Sequence, residues 1–369
     1  MHLRRRQQVT AAGVAVAAMA LSLAACSSSS SSSAAAGSSS PAAGSSSSAS
    51  GAKLSGTLNG SGSTFQTTFQ ETASSSFKSV QPDMTVNYGS GGSGKGRTDL
   101  ASGVTNFAGS DSPIPAAETA NFKGKTVLYF PVIIGPITLS YNLSSLSKPL
   151  QLSAPVIASI FQGKITTWNN SAIAADNPGV TLPSSPITIV VRSDSSGTTQ
   201  NFSLFLKTAT PTWTLGSSST IKWPSTARAG NGNGGVASAV KSTPGAIGYV
   251  DYSDAKASGL TFASIKNKDG NYVAPSSSSA SAAADGVTIM PNLTFHAVWG
   301  TGAQAYPITY QSWVLVYQTQ PNANDAAMLK AYIGYLLGPM QAMSGSLGYA
   351  PLPSSLDQMA TAQLSKIAS

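Results

Sequence analysis

Cysteine is all but missing: Cys26 is the only one among 369 residues, so no disulfide can staple a domain of this chain. Histidine is nearly as scarce, with His2 and His296 alone. His296 lies in the apolar run Phe295 to Trp299, which reads as core. The chain thus offers no Ser, His and acid constellation for hydrolysis and no cluster of metal ligands, and neither a metal nor a cofactor is expected. Charge is thin as well, at 9% of residues, and the basic side chains are scattered rather than blocked. That pattern excludes a nucleic-acid partner and supports at most a weak pull on anions. The apolar run from Val9 to Ala25 is too short to require a transmembrane reading.

What is present begins with that run. Arg4-Arg5-Arg6 precedes it, and residues 1–25 read as a secretory signal peptide. Its end, Leu23-Ala24-Ala25-Cys26, resembles the lipobox of bacterial lipoproteins. That resemblance implies cleavage before Cys26 and lipid attachment, palmitate included, to its sulfur, which would anchor the chain to the outer face of the cell membrane. An uncleaved anchor, or an ordinary signal peptide with a chance cysteine, is the alternative. Residues 26–52 are almost entirely Ser, Ala and Gly and read as a flexible tether. Without Arg4, Arg5 and Arg6 the basic residues fall from 21 to 18 against 13 acidic ones, a net +5 for the mature chain. About 320 residues remain, enough for two domains.

The chain is organised around Val190 to Thr199. Ile187 to Val191 is a β-branched run suited to a buried strand, and a helix is expected to start near Ser196. The first turn of such a helix carries unpaired N–H groups and the positive end of the helix dipole, and Arg192 adds a planar fork for oxyanion oxygens. The same residues suit a capped helix with a surface arginine, and the stretch alone leaves both readings open.

Three other stretches follow or end a predicted strand in the same way. Ser61-Gly62-Ser63-Thr64-Phe65 precedes a stripe of Phe65, Phe69, Ala73 and Phe77, which predicts a core-facing helix from Ser63 or Thr64. Met84 to Tyr88 alternates as a strand and runs into Gly89 to Arg97, where Gly89, Gly94 and Lys95 have the spacing of a nucleotide-binding P-loop. Gly96 stands where a hydroxyl should hold magnesium, so what survives is a glycine-rich loop whose amides and Ser93 hydroxyl suit an anion. Asn106 to Pro113 reads as a strand ending at Asp111, which also suits a turn cap.

Elsewhere, Thr126 to Tyr141 is a long apolar stretch broken by Pro131, Gly135 and Pro136, long enough for two strands and suited to a crossing between domains. Gly230 to Gly235 reads as a turn before a helix from Val236 to Lys241, and Ser276 to Ala284 as a loose insertion. Asn324 is expected to open a helix to Leu337, and Ser354 with Asp357 resembles a capping box. Strands and helices alternate throughout, which argues for α/β layers with largely parallel sheets. Ligands of such sheets sit at the carboxyl ends of strands, where the four stretches can converge.

The order and wording of these stretches resemble the phosphate-binding proteins (PstS) of Pst-type ABC phosphate importers. The matching motifs are Gly60 to Phe65, Tyr88 to Gly94, Phe107 to Pro113, Phe161 to Ile165 with Trp168, Val190 to Thr198, and Gly245 to Val250, with Tyr306-Pro307-Ile308-Thr309 similar to a return crossing. The resemblance implies a two-lobed periplasmic binding protein-like α/β fold, each lobe a mostly parallel sheet with flanking helices and the ligand cleft between them. It places lobe I at residues 53–136 and 306–369 and lobe II at 137–305. It implies that Thr64, Phe65, Ser93, Asp111, Arg192, Ser196, Gly197 and Thr198 bind inorganic phosphate, with Asp194 bracing the arginine. It also implies a monomer that passes phosphate to an ABC permease and ATPase complex and is not an enzyme. Gln66, Lys95 and Ser195 depart from the family, which often has smaller or less polar residues, or proline, there. Lys95 would add charge at the cleft mouth.

Two rivals share parts of this reading. An exported phosphate-ester hydrolase lacks an evident catalytic constellation here, whereas a surface sensor or adhesin would use the same site and differ only in partners.

Overall fold

The structure is a computed structural model that describes residues 53–144 and 146–369. The signal peptide, the tether and Cys26 lie outside the described residues.

The first elements are β1 (Gly56–Gly62), α1 (Thr67–Phe77), β2 (Met84–Ser90), α2 (Ser93–Ala101), β3 (Phe107–Ser110) and the long β4 (Val127–Tyr141). There follow β5 (Gln151–Leu152), α3 (Ala154–Phe161), α4 (Ser171–Asp176), β6 (Thr188–Arg192), α5 (Gly197–Ala209), β7 (Arg228–Gly230), α6 (Gly232–Ser242), β8 (Ala246–Asp251) and α7 (Tyr252–Ala257). The chain closes with β9 (Thr261–Phe262), β10 (Ser264–Lys266), β11 (Tyr272–Val273), α8 (Ser277–Ala284), β12 (Thr309–Tyr317), α9 (Ala323–Leu337), α10 (Pro339–Met343) and α11 (Ser354–Gln363).

The main sheet has the order β2-β1-β3-β12-β4-β8-β6-β7, with β9 beside β4. Its outer strands run parallel, β2 with β1 and β1 with β3 on one side, β8 with β6 and β6 with β7 on the other. The centre is antiparallel: β12 pairs with β3 and β4, and β4 with β8. This is a mixed α/β, two-lobed fold joined by a strand rather than a loop.

Pro131, Gly135 and Pro136 suggested two strands, yet Val127 to Tyr141 runs as one. Prolines cannot donate to a ladder, and β4 passes Pro131 with an extra residue, Val132, between the pairs Ser312 with Ile133 and Trp313 with Pro131. From Val127 to Pro136 β4 pairs with β12, and from Ile137 to Tyr141 with β8, so the sheet changes neighbours at one peptide.

Each side of the sheet has an aromatic core. Phe77 and Phe107 pack against Tyr332 of α9 at 5.3 and 5.8 Å between centroids. On the other side Phe202 lies 4.5 Å from Tyr249 and 4.9 Å from Phe161. Each such buried side chain stabilises the fold by about 1.5–3 kcal/mol.

Several expectations are corrected. Helix α1 starts at Thr67, because Ser63 to Gln66 form a tight turn in which Ser63 and Thr64 carbonyls take amides three residues on. Gly232 opens α6, so four of the six residues of the expected Gly230 to Gly235 turn are helix. The supposed loose insertion is α8, held by a reciprocal Ser276 and Ser279 capping box with Ala280, Ala283 and Ala284 buried. Asn322 rather than Asn324 caps α9. Ser354 makes no cap: Pro353 precedes α11 and the Asp357 Oδ1 atom is buried without a partner. His296 is exposed, although its neighbours Phe295 and Ala297 are buried.

Candidate functional site

Parallel strands β1, β3 and β6 end at Gly62, Ser110 and Arg192, and the residues just beyond them meet at the seam between the two halves of the sheet. The structure brings the predicted Thr64, Phe65, Ser93, Asp111, Arg192, Ser196, Gly197 and Thr198 to this seam.

Asp111 is its centre on the first side, 1% exposed. Its Oδ1 atom accepts hydrogen bonds from the Ser63 and Ser312 hydroxyls, each at 2.5 Å. Its Oδ2 atom has only a long 3.3 Å contact from the Ser93 hydroxyl, whose oxygen also receives the Asp111 amide at 3.1 Å. One carboxylate oxygen is therefore saturated and the other is left facing the seam. Burial raises the Asp111 carboxyl above the ordinary value, opposed by the hydroxyls of Ser312, Ser63 and Ser93 and by the Arg192 charge. The flanking turn is gripped by Arg97, a turn along α2 from Ser93. Its guanidinium donates to Ser110 and Ser112 hydroxyls at 3.2 Å each and forks onto Glu118 at 2.6 and 3.0 Å.

On the second side, Ser196 caps α5 by accepting the Thr199 amide at 3.1 Å. The amides of Gly197 and Thr198 belong to the first turn and have no intrahelical acceptor. Gly197 lies against Asp111: a Cβ there would sit 2.3 Å from Ser93 Oγ and 2.6 Å from Asp111 Oδ2. Only glycine permits that approach. Arg192 forks onto both oxygens of Asp194 and donates to Thr198 Oγ1 at 3.2 Å. Burial would raise the Asp194 carboxyl, but the Arg192 hydrogen bonds and charge prevail and hold it below the ordinary value.

The seam is closed by direct bonds across it. The Gly94 amide donates to the Ser195 carbonyl at 3.0 Å, Asn233 donates to Thr64 Oγ1 at 3.1 Å, and Asn201 donates to the Asp111 carbonyl at 2.7 Å. The Phe65 amide is taken by Ser63 Oγ at 3.1 Å, and its ring lies 4.2 Å from that of Tyr310. Lys95, expected as free charge at the mouth, bonds Asp99 at 2.5 Å, and Asp99 also takes the Ser61 hydroxyl at 2.6 Å.

A second buried acid lies behind the seam. Asp251 caps α7 through Oδ1, while its Oδ2 and the nearby Tyr310 hydroxyl are buried without partners. Tyr310 and Asp251 sit opposite Gly135 and Ile137 of β4, two residues apart and therefore on one face of the sheet. Burial first, and the neighbouring Asp254 second, raise the Asp251 carboxyl well above the ordinary value.

Sequence reasoning missed Ser63, Ser312, Asn201, Asn233, Arg97 and Asp251. Ser63 lay inside a motif already quoted. Ser312 and Asn233 had no local signal, since β12 lies some 200 residues from Asp111 in the chain and the Gly230 to Gly235 stretch read as a turn.

Two lobes sharing one strand, with polar groups meeting at strand ends, define a class of hinged binding proteins. A family model described as a PBP superfamily domain matches residues 47–339. Phosphate-binding protein PstS 3 of Mycobacterium leprae is 36% identical over 312 residues, covering 81% of this chain and 84% of its own. Phosphate-binding protein PstS of Xylella fastidiosa is 35% identical over 279 residues, covering 73% and 75%. The chain belongs to this PstS family within the PBP superfamily. Among solved structures, the high-affinity periplasmic phosphate-binding protein PfluDING with phosphate bound superposes with a TM-score of 0.69 at 23% identity, over 84% of this chain and 94% of its own.

Proposed function

We propose that the protein is an extracytoplasmic solute-binding protein that captures inorganic phosphate and delivers it to an ABC importer. The observation that carries this is Asp111: a buried carboxylate with Oδ1 saturated by two hydroxyls and Oδ2 turned toward the first turn of α5. An acceptor set among donors suits an oxyanion that keeps a proton. Phosphate near neutral pH carries one and sulfate does not. Against sulfate the carboxylate loses a hydrogen bond and gains repulsion, about 1–3 kcal/mol for an unmet group and more when it is charged.

In this reading Thr64, Phe65 and Ser93 serve the anion from lobe I, residues 53–136 and 306–369. Arg192, Ser196, Gly197 and Thr198 serve it from lobe II, residues 137–305. Phosphate replaces the bonds that Phe65 and Ser93 now make within lobe I, and Asp194 keeps the Arg192 fork in place. The relatives' names as phosphate-binding proteins support the ligand. The protein binds and releases without making or breaking a bond, acts as a monomer, and is held by lipid on Cys26 at the outer face of the membrane. No helix among the described residues is long and apolar enough to cross a membrane.

Titration calorimetry of the full chain tests the reading. Phosphate is expected to bind tightly without added metal, and sulfate far more weakly; no phosphate binding, or equal binding of both, sinks it. Mass spectrometry of membrane-extracted protein tests the anchor, by an acylated N-terminal Cys26.

A further inference from the structure

One buried chain of hydrogen bonds leads away from Asp111 through Ser312 to residues that the site described above does not include. Tyr332 of α9 donates its hydroxyl to Gln70 Oε1 at 2.6 Å. Gln70 Nε2 donates to Gln66 Oε1 at 2.8 Å. Gln66 Nε2 donates to Ser312 Oγ at 2.7 Å and to the Trp313 carbonyl at 2.9 Å. Ser312 then donates to Asp111 Oδ1 at 2.5 Å. Tyr332, Gln70, Gln66 and Ser312 are all 0% exposed.

Every donor in this chain points toward Asp111. The Gln66 amide cannot turn round, because its Nε2 must supply two acceptors and its Oε1 takes a donor. Ser312 Oγ, receiving a hydrogen from Gln66, directs its own onto the carboxylate. Hydrogen bonds aligned head to tail strengthen one another in a dry interior. Gln66 is the middle link of this chain. It stands one residue past Phe65, in the very turn that displaced the start of α1.

We infer that Gln66, with Gln70 and Tyr332 behind it and Ser312 before it, is a positioning relay that locks one oxygen of Asp111 and keeps the carboxylate a pure acceptor, so that the relay sets discrimination between protonated and unprotonated oxyanions. The inference rests on the phosphate reading above. The relay touches no ligand; it acts by orientation. Its carboxylate also faces Arg192 from β6, Tyr88 from β2 and Tyr310 from β12, and Arg97 of α2 holds the flanking serines. None of these is altered by the variants below.

The experiment compares phosphate and sulfate affinities by calorimetry, from about pH 5 to 8, for the full-length wild type, Ser312→Ala, Gln66→Met and Tyr332→Phe. The phosphate-to-sulfate ratio is expected to fall about tenfold in Ser312→Ala, somewhat less in Gln66→Met and about twofold in Tyr332→Phe, following the distance from Asp111. The acid limb of phosphate binding should move to higher pH in the same order, because a carboxylate with fewer donors takes up its proton sooner. Ser312→Thr, which keeps the hydroxyl, should restore both. If Gln66→Met does not fold, Gln66→Glu serves: its carboxylate draws the Ser312 hydrogen away from Asp111 and should lower the ratio at least as far. Equal weakening of both anions, or a loss of thermal stability with an unchanged ratio and pH limb, overturns the relay. A wild type that binds no phosphate overturns the underlying reading instead.

Discussion

The two sides of the seam handle charge in opposite ways. On the first side the acid, Asp111, has no cationic partner of its own within hydrogen-bond reach; hydroxyls fix it, and its turn is braced by Arg97, whose charge is already matched by Glu118. On the second side the cation, Arg192, is matched at once by Asp194, and what remains on offer is the first turn of a helix. Under the proposed function, one side would read where a ligand has its proton, and the other would supply donors indifferent to it. Discrimination and affinity are built on different strands.

Mutations separate the two. The largest effect is expected from Arg192→Leu, which leaves the half-buried Asp194 without its cation and with only the Gly232 amide on Oδ1. Phosphate and sulfate should weaken together by about 2–5 kcal/mol, with their ratio in calorimetry unchanged. Gly197→Ala attacks the contact between the sides, since its Cβ would sit 2.3 Å from Ser93 Oγ. It should weaken phosphate roughly tenfold to a hundredfold and abolish ligand-induced compaction in small-angle scattering. Asp111→Asn touches the first side alone. It should narrow the phosphate-to-sulfate gap by about 1–3 kcal/mol, and an unchanged ratio would refute the role given to the acid.

The smallest effect sharpens the contrast between the two buried acids. Asp111 is surrounded by hydroxyl donors, whereas Asp251 keeps one oxygen without a partner. Its raised folded value means that the native state holds a proton the unfolded chain gives up. The stabilisation is present below the ordinary carboxylate range and is lost as pH rises through the folded value. Asp251→Asn should therefore raise the melting temperature by about 2 °C near pH 8 and hardly at all near pH 4.

Much of this architecture was written locally in the chain. The Phe65, Phe69, Ala73 and Phe77 stripe, the Val190 to Thr199 strand and helix start, and the glycine-bearing strand ends announce a layered α/β fold with a polar seam. Three features were not legible. The prolines of β4 looked like breaks because only the pairing with β12 shows the ladder continuing past Pro131 through an extra residue, Val132. The Ser/Ala run of α8 looked like loose chain because its capping box uses a serine where an acidic residue or glutamine is usual. The hydroxyls on Asp111 Oδ1 were hidden, since Ser312 reaches it only once β12 lies beside β3.

The pairing of Arg192 with Asp194 has a consequence for kinetics. With those charges cancelled, Lys95 cancelled by Asp99, and Asp111 ionised, the seam carries a net −1 before any anion arrives. The site's own field opposes an arriving anion while the scattered basic charge elsewhere pulls it in weakly; salt screens both, and the association rate should change little with ionic strength. The protein would then take up phosphate as steadily in brackish surroundings as in fresh water.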